Sequence, residues 1–242
     1  NSKNDDQVYT FLRNKFSRIL RKDCKAKLKL YCHPSLNLAQ DVIYLLSNVK
    51  RKITTYLDIG CGTGKKAEYI AKELNILPKN TYGADVDSFD EQGTNWNKKA
   101  KKCNINFVPI KENERYPFKN GKFDMISAFM VLHHIPNIEF ALKEVHRLLR
   151  KNGLFIIKEH DCYNAADVML ADVEHCMYSL VYSRVPDRGF YYNDFATYSI
   201  HHEWDCIWLR YGERFVKDSF SSASVHFNVS PSRGYLAVYK KI

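Results

Sequence analysis

No stretch of this 242-residue chain approaches the roughly 18 consecutive apolar residues that a membrane-crossing helix requires, and no secretory leader is visible at its start. The first residue is Asn rather than Met, and the expectation is a piece of a longer protein with further domains. The seven cysteines are scattered. Cys24, Cys32, Cys61, Cys103, Cys162, Cys176 and Cys206 are odd in number and include no Cys-x-x-Cys pair, which argues for a reducing, cytoplasmic compartment. His160, Cys162, His175 and Cys176 fit no common zinc spacing, so no metal is expected. No repeat, low-complexity tract or Pro-rich linker divides the chain. A chain of this length can hold one substantial core.

Charge of one sign is in excess. The formal net charge is +10, which favours an anionic partner such as nucleic acid. Lys3, Arg13, Lys15, Arg18, Arg21, Lys22, Lys25, Lys27 and Lys29 crowd the first thirty residues, and Lys98, Lys99, Lys101 and Lys102 form a second cluster. Such blocks often touch phosphates, and the plainer alternative is solvated helix faces.

Apolar residues at Val8, Leu12, Phe16, Ile19 and Leu20 recur at helical spacing and predict a basic amphipathic helix over 7–22. A second helix is expected over 36–48 with Ser35 as a cap. Residues 1–50 thus read as a basic helical N-terminal extension, and 51–242 as one compact unit. In that unit, strands at 54–59, 81–86, 105–109, 123–129 and 153–159 alternate with helices at 64–75, 88–103 and 137–150, ending at Asn152-Gly153. This alternation predicts an α/β fold with a parallel sheet covered on both faces. A helix over 164–183, an irregular aromatic stretch over 185–198, a helix around 200–210 and strands at 214–220 and 234–239 complete the prediction.

The densest signal is Tyr56-Leu57-Asp58-Ile59-Gly60-Cys61-Gly62-Thr63-Gly64. A short strand closes on an acid, turns through three glycines and enters a helix, the place where an α/β sheet holds a nucleotide-like ligand. Its third glycine comes too early for the G-x-G-x-x-G dinucleotide spacing, and no Gly-Lys-Ser/Thr follows as a phosphate loop would need. An acid at the strand end suits hydroxyl and ammonium groups better than a pyrophosphate.

Further segments follow in order: Gly83-Ala84-Asp85-Val86-Asp87, Tyr116-Pro117-Phe118, Lys122-Phe123-Asp124-Met125-Ile126, Val131-Leu132-His133-His134-Ile135 and Glu144 to Gly153. With these, the chain over roughly 52–160 resembles the class I methyltransferases that use S-adenosylmethionine. The resemblance implies a Rossmann-like fold, with a seven-stranded, mostly parallel sheet and helices on both faces. It implies S-adenosylmethionine as cofactor, with Gly60, Cys61, Gly62 and Gly64 giving backbone approach to the methionine part. Asp58 would meet the ammonium, Asp85 would accept both ribose hydroxyls, and Val86 would pack on the adenine. Glu112 falls where the family often has an Asp for the adenine amino group, and Phe129 would face the cofactor. Arg13, Lys15 and Arg18 are candidates for the methionine carboxylate, with Arg18 preferred.

The acceptor is approached by exclusion. Amino-group methylation usually goes with an Asn/Asp-Pro-Pro-Tyr/Phe loop, where this chain has Ser127-Ala128-Phe129-Met130; cytosine C5 chemistry needs a Pro-Cys dipeptide, which is absent. Ribose methylation usually uses a Lys-Asp-Lys-Glu set; Lys158 could fill one lysine position, but the Asp after the fourth strand is missing. Guanine N7 has a free lone pair and needs positioning rather than a base, so no catalytic residue is assigned. Leu132-His133-His134 and Phe11-Leu12-Arg13-Asn14 resemble motifs of the messenger-RNA cap guanine-N7 methyltransferases, in particular the domain of large DNA virus capping enzymes. That resemblance implies capped RNA as partner, other capping domains in a longer chain, and a monomeric domain. Glu159 would read the base edge. His133, His134, Tyr191 and Tyr198 would line the acceptor, the tyrosines within an aromatic patch with Tyr192, Phe195 and Trp204. A small-molecule methyltransferase acting on a quinone or lipid, a tRNA-modifying enzyme and an inactive binding domain are the alternatives.

Overall fold

The computed structural model describes residues 34–47, 51–86, 100, 102–160, 204–211 and 234–242. Helix α1 (Pro34–Ser47) leads into strand β1 (Tyr56–Ile59), helix α2 (Lys65–Glu73) and strand β2 (Thr81–Val86). Strands β3 (Asn106–Ile110) and β4 (Phe123–Phe129) follow, then helix α3 (Ile138–Leu148) and strands β5 (Leu149–His160), β6 (Trp204–Tyr211) and β7 (Gly234–Lys241). The sheet runs β3-β2-β1-β4-β5-β7-β6. Its first five strands pair in parallel, and β7 lies antiparallel to both β5 and β6.

The order reverses direction at β1, with β2 on one side and β4 on the other. At such a switch point the loops leaving two adjacent strands diverge and open a crevice at the carboxyl edge. β1 and β4 are buried along their whole length, as central strands under two helical layers must be. One core cluster joins Leu57, Ile126, Phe155 and Leu148 on the α3 face. The other joins Val42, Ile70, Met125 and Ile156 under α1 and α2.

At the opposite, amino edge, Asp124 ties the sheet together. Its Oδ2 accepts from the Thr54 and Thr55 amides at 2.9 and 3.1 Å and from their hydroxyls at 2.5 and 3.0 Å, while Oδ1 accepts from Arg150 at 2.9 Å. Burial pushes this carboxyl up, but the Thr54 and Thr55 donors and Arg150 outweigh it and hold it below the ordinary carboxylate range.

Several expectations need correction. Residues 204–211, expected within a helix, form β6, paired along its length with β7. The run Trp-Asp-Cys-Ile-Trp-Leu-Arg-Tyr is rich in aromatic and β-branched residues, and this propensity prevails over the misread helical period. The helix expected to end at Asn152-Gly153 stops at Leu148; β5 begins at once, and Asn152, at φ 60°, makes an irregularity inside it. The extension 1–33, almost all of the helix 88–103, the helix 164–183 and the strand 214–220 lie outside the described residues.

Candidate functional site

The glycine turn stands at the switch point. Gly60, Gly62 and Gly64 all take positive φ, at 66°, 53° and 76°. At Gly60 a second constraint acts: a Cβ there would come within 2.2 Å of the Val131 Cγ2, so the turn and the loop after β4 touch backbone to side chain. Gly60 and Cys61 donate to the Ala84 carbonyl at 2.8 and 3.2 Å, which pins the turn to β2. Gly64 caps α2 with no side-chain bond, leaving that helix end to whatever occupies the crevice. Cys61 contributes backbone only. Its side chain is buried, and its sulfur lies 2.7 Å from where a Cβ on Gly83 would be. Burial, with Asp58 and Asp85 nearby, pushes its thiol well above the usual range.

Asp58 is 1% exposed, and among the described residues its Oδ2 is a buried acceptor without a hydrogen bond. Its Oδ1 accepts from the Ser127 hydroxyl at 2.6 Å, and Ser127 in turn is 2.7 Å from the Tyr56 hydroxyl. Parallel pairing sets Ser127 opposite Asp58. Burial pushes the Asp58 carboxyl up to about 6, against the opposing pull of Lys66 and the Ser127 bond. A buried carboxylate with an open lone pair is costly unless a donor arrives, and an ammonium is such a donor.

Asp85, at the end of β2, accepts from the Gly62 amide at 2.6 Å through Oδ2 and from the Val86 amide at 2.8 Å through Oδ1. A carboxylate has about four lone-pair sites, so each oxygen keeps one for a vicinal diol. Burial raises its pKa, opposed by the two amides, His134 and Lys66. Lys66 is a residue the sequence reading passed over. It lies in the first turn of α2, half-buried, with its ammonium 5.4 Å from the Phe129 ring centroid. Its charge acts on Asp58, Cys61 and Asp85 alike.

These features fit S-adenosylmethionine. Asp58 and Lys66 would hold its amino-acid end, the glycine turn its middle and Asp85 its ribose, presenting an electrophilic methyl group. Val86 is 37% exposed, enough to offer a face to an adenine ring. Glu112 is exposed in the turn after β3. Phe129, expected to face the cofactor, is 3% exposed and packs in the core with Met125 and Leu236 beneath Lys66. Arg18, Tyr191 and Tyr198 lie outside the described residues.

The expected base reader, Glu159, is otherwise occupied. Its carboxylate is buried; Oε2 accepts from the Leu132 amide at 2.9 Å and the His133 amide at 3.3 Å. Oε1 accepts from the His160 amide at 2.8 Å and makes a short hydrogen bond with the His133 Nδ1. Burial pushes this carboxyl up, but the bond and charge of His133 and the charge of His160 hold it below the usual range. The reason is topological: the end of β5 lies beside the turn Leu132–His134, whose amides need an acceptor. His133 and His134 do come together, with ring centroids 3.9 Å apart, and His160 stands edge-on to His133 at 4.7 Å. His133, Glu159 and His160 also bring potential ligand atoms within 4.8 Å of one another, a grouping the sequence reading missed. The bonds of Glu159 define it as a carboxylate–histidine pair.

Residues 57–157 match the family described as a methyltransferase domain. An uncharacterised protein of Methanocaldococcus jannaschii is 38% identical over 109 residues, 45% of this chain and 38% of that one. The mitochondrial arginine-hydroxylase NDUFAF5 of Homo sapiens is 30% identical over 110 residues, 45% of this chain and 29% of its own length. The ubiquinone biosynthesis O-methyltransferase of Pelagibacter ubique is 29% identical over 121 residues, 50% of this chain and 48% of that one. The chain thus spans less than half the length of each of these relatives. Among solved structures, a Thermotoga maritima S-adenosylmethionine-dependent methyltransferase, a possible histamine N-methyltransferase, superposes with TM-score 0.55 at 17% identity, covering 94% of this chain and 98% of its own. Another from Mesorhizobium loti gives TM-score 0.56 at 12% identity, covering 81% and 96%. Residues 57–157 thus match a methyltransferase domain, the fold is shared with S-adenosylmethionine-dependent methyltransferases, and the cofactor these findings support is S-adenosylmethionine.

Proposed function

We propose that the protein transfers the methyl group of S-adenosylmethionine to a small-molecule acceptor of the quinone-precursor kind. The observation that carries the methyl-transfer reading is the polarity of the switch-point crevice. Asp58, with an open buried oxygen, and Asp85, with lone pairs left on both oxygens, flank a glycine turn. That set matches an ammonium and a vicinal diol better than a pyrophosphate. Two relatives support the acceptor class by name: the Pelagibacter ubique O-methyltransferase of ubiquinone biosynthesis and a ubiquinone/menaquinone C-methyltransferase of Agrobacterium fabrum, 28% identical over 145 residues. NDUFAF5 is described as a hydroxylase, a reminder that this fold carries more than one reaction.

Cap guanine-N7 methylation keeps the net charge of +10 in its favour and loses its base reader, because the Glu159 carboxylate already accepts four hydrogen bonds. Incubation with labelled cofactor and, separately, ortho-diphenols and unmethylated capped RNA decides between them. Label in the phenol fraction is expected. Transfer to the cap alone would replace this reading, and a protein that binds S-adenosylhomocysteine yet methylates neither would refute both.

A further inference from the structure

We infer that Ser127, backed by Tyr56, is a positioning residue for the cofactor: the three linked side chains keep Asp58 ionised, hold one of its oxygens and leave the other for the ammonium of S-adenosylmethionine. The inference rests on the cofactor reading of the switch-point crevice and deepens it.

Two hydroxyls buried in the central strands need a reason. Tyr56 and Ser127 are both 0% exposed. Burying a hydroxyl is costly unless it is hydrogen-bonded, and an apolar residue at either position would avoid that cost. Side chains two apart on a strand share a face, so Tyr56 and Asp58 point to the same side of β1. Parallel pairing sets Ser127 opposite Asp58. That side is the one α2 covers, since Tyr56 packs there with Ala67 and Ile70. Both hydroxyls therefore lead to Asp58 from within the core.

The hydrogens in this chain run one way. Ser127 has a single hydroxyl hydrogen and donates it to Asp58 Oδ1 at 2.6 Å. Tyr56, 2.7 Å from the same hydroxyl, must then be the donor to Ser127. Burial, with Asp58 nearby, pushes the Tyr56 hydroxyl well above its ordinary range, so it keeps the proton it donates. A proton added at Asp58 Oδ1 would meet the Ser127 hydrogen head-on. The chain thus favours the ion, against burial, which pushes the carboxyl up to about 6.

Holding Oδ1 also fixes where Oδ2 stands. The carboxylate cannot turn without breaking the Ser127 bond, and among the described residues Oδ2 accepts nothing. A buried anion with a lone pair to spare is complemented by a cationic donor. The cofactor's amine is one; its ribose and adenine are not. The charged and titratable groups acting on Asp58 among the described residues are Lys66 from α2, Asp85 from β2, Cys61 from the glycine turn and Tyr56 from its own strand, while β4 brings the uncharged Ser127.

Calorimetry between about pH 5 and 7.5, where an amine stays charged, tests this. The ligand is S-adenosylhomocysteine, and the control is 5′-methylthioadenosine, which keeps adenine, ribose and sulfur but has no amino-acid end. For the wild type, the ratio of the two affinities should rise about tenfold per pH unit below the Asp58 value of about 6 and level off above it. Asp85, on which His134 acts, meets the ribose of both ligands, so the ratio cancels its contribution. In Ser127→Ala the levelling point should move up by about one to two pH units. At pH 7 that lowers S-adenosylhomocysteine affinity about 2- to 10-fold and leaves the control unchanged. Tyr56→Phe should give a smaller step in the same direction. A levelling point that stays put in Ser127→Ala, or equal weakening of both ligands, would overturn the inference and make the hydroxyls part of the packing alone. If Ser127→Ala does not fold, Tyr56→Phe and the double variant Tyr56→Phe/Ser127→Ala, which strands no hydroxyl, carry the decision. A wild type that binds both ligands with a ratio independent of pH would sink this inference only; one that binds neither would sink the cofactor reading itself.

Discussion

Replacing Lys66 with Met separates the two ends of the cofactor. The substitution keeps the length and apolar stem of the side chain over Phe129 and deletes only its charge. In the wild type that charge acts on Asp58, Cys61 and Asp85, and an amino-acid carboxylate arriving beside Asp58 would be attracted by it. A unit pair at about 4 Å is worth about 4 kcal/mol at an effective dielectric near 20. Lys66 is only half-buried, so solvent takes back much of this, and a charge-assisted hydrogen bond nets about 1.5–3 kcal/mol. That corresponds to roughly 10- to 150-fold in affinity. Calorimetry with two ligands reads it: S-adenosylhomocysteine carries the amino-acid end, and 5′-methylthioadenosine lacks it. Lys66→Met should weaken the first by that factor and leave the second within about two-fold. Equal weakening of both would show that Lys66 merely shapes the turn, and no weakening of either would remove it from the site.

Asp58→Asn should stabilise the empty protein at neutral pH while weakening S-adenosylhomocysteine. The folded carboxyl is raised from 3.8 to about 6, so the Asp58 contribution is full below about pH 3.8 and lost as pH rises through about 6, a span of about 3 kcal/mol. Thermal melts of wild type and variant should coincide at pH 3.5 and separate by pH 7, and a variant less stable at pH 7 would contradict the burial argument. Asp124→Ala acts in the opposite sense. Its carboxyl is held below its ordinary value, so its contribution is present above the unfolded pKa and disappears as pH falls through the folded one. Urea titration at pH 7 should show a loss of at least ~2 kcal/mol from the Thr54 and Thr55 donors left behind, shrinking toward acid pH; a loss that does not vary with pH would refute the assignment.

What could be read from the sequence was local. The turn Gly60–Gly64 and Asp85 announce themselves because the backbone there must bend and close on β2 within a few residues. The boundaries of β2 and β4 follow from composition in the same way. What escaped was set by pairing between distant strands. Ser127 supports Asp58 because β4 lies beside β1, and Glu159 serves the 132–134 turn because β5 ends beside it. Neither is visible until the sheet order is known. Lys66 was read as one more lysine of a helix, although its place in the first turn after Gly64 was a usable signal. For β6, the sequence spacing of Trp204, Trp208 and Tyr211 imitated a helical period.

The Cys61 sulfur is buried and wedged against Gly83, with its thiol held in the protonated form. A thiol in that state reacts with an alkylating reagent only when the turn lifts off β2. Its labelling rate is therefore a clock for how often the empty turn opens. A ligand that clamps the turn onto β2 would slow that clock.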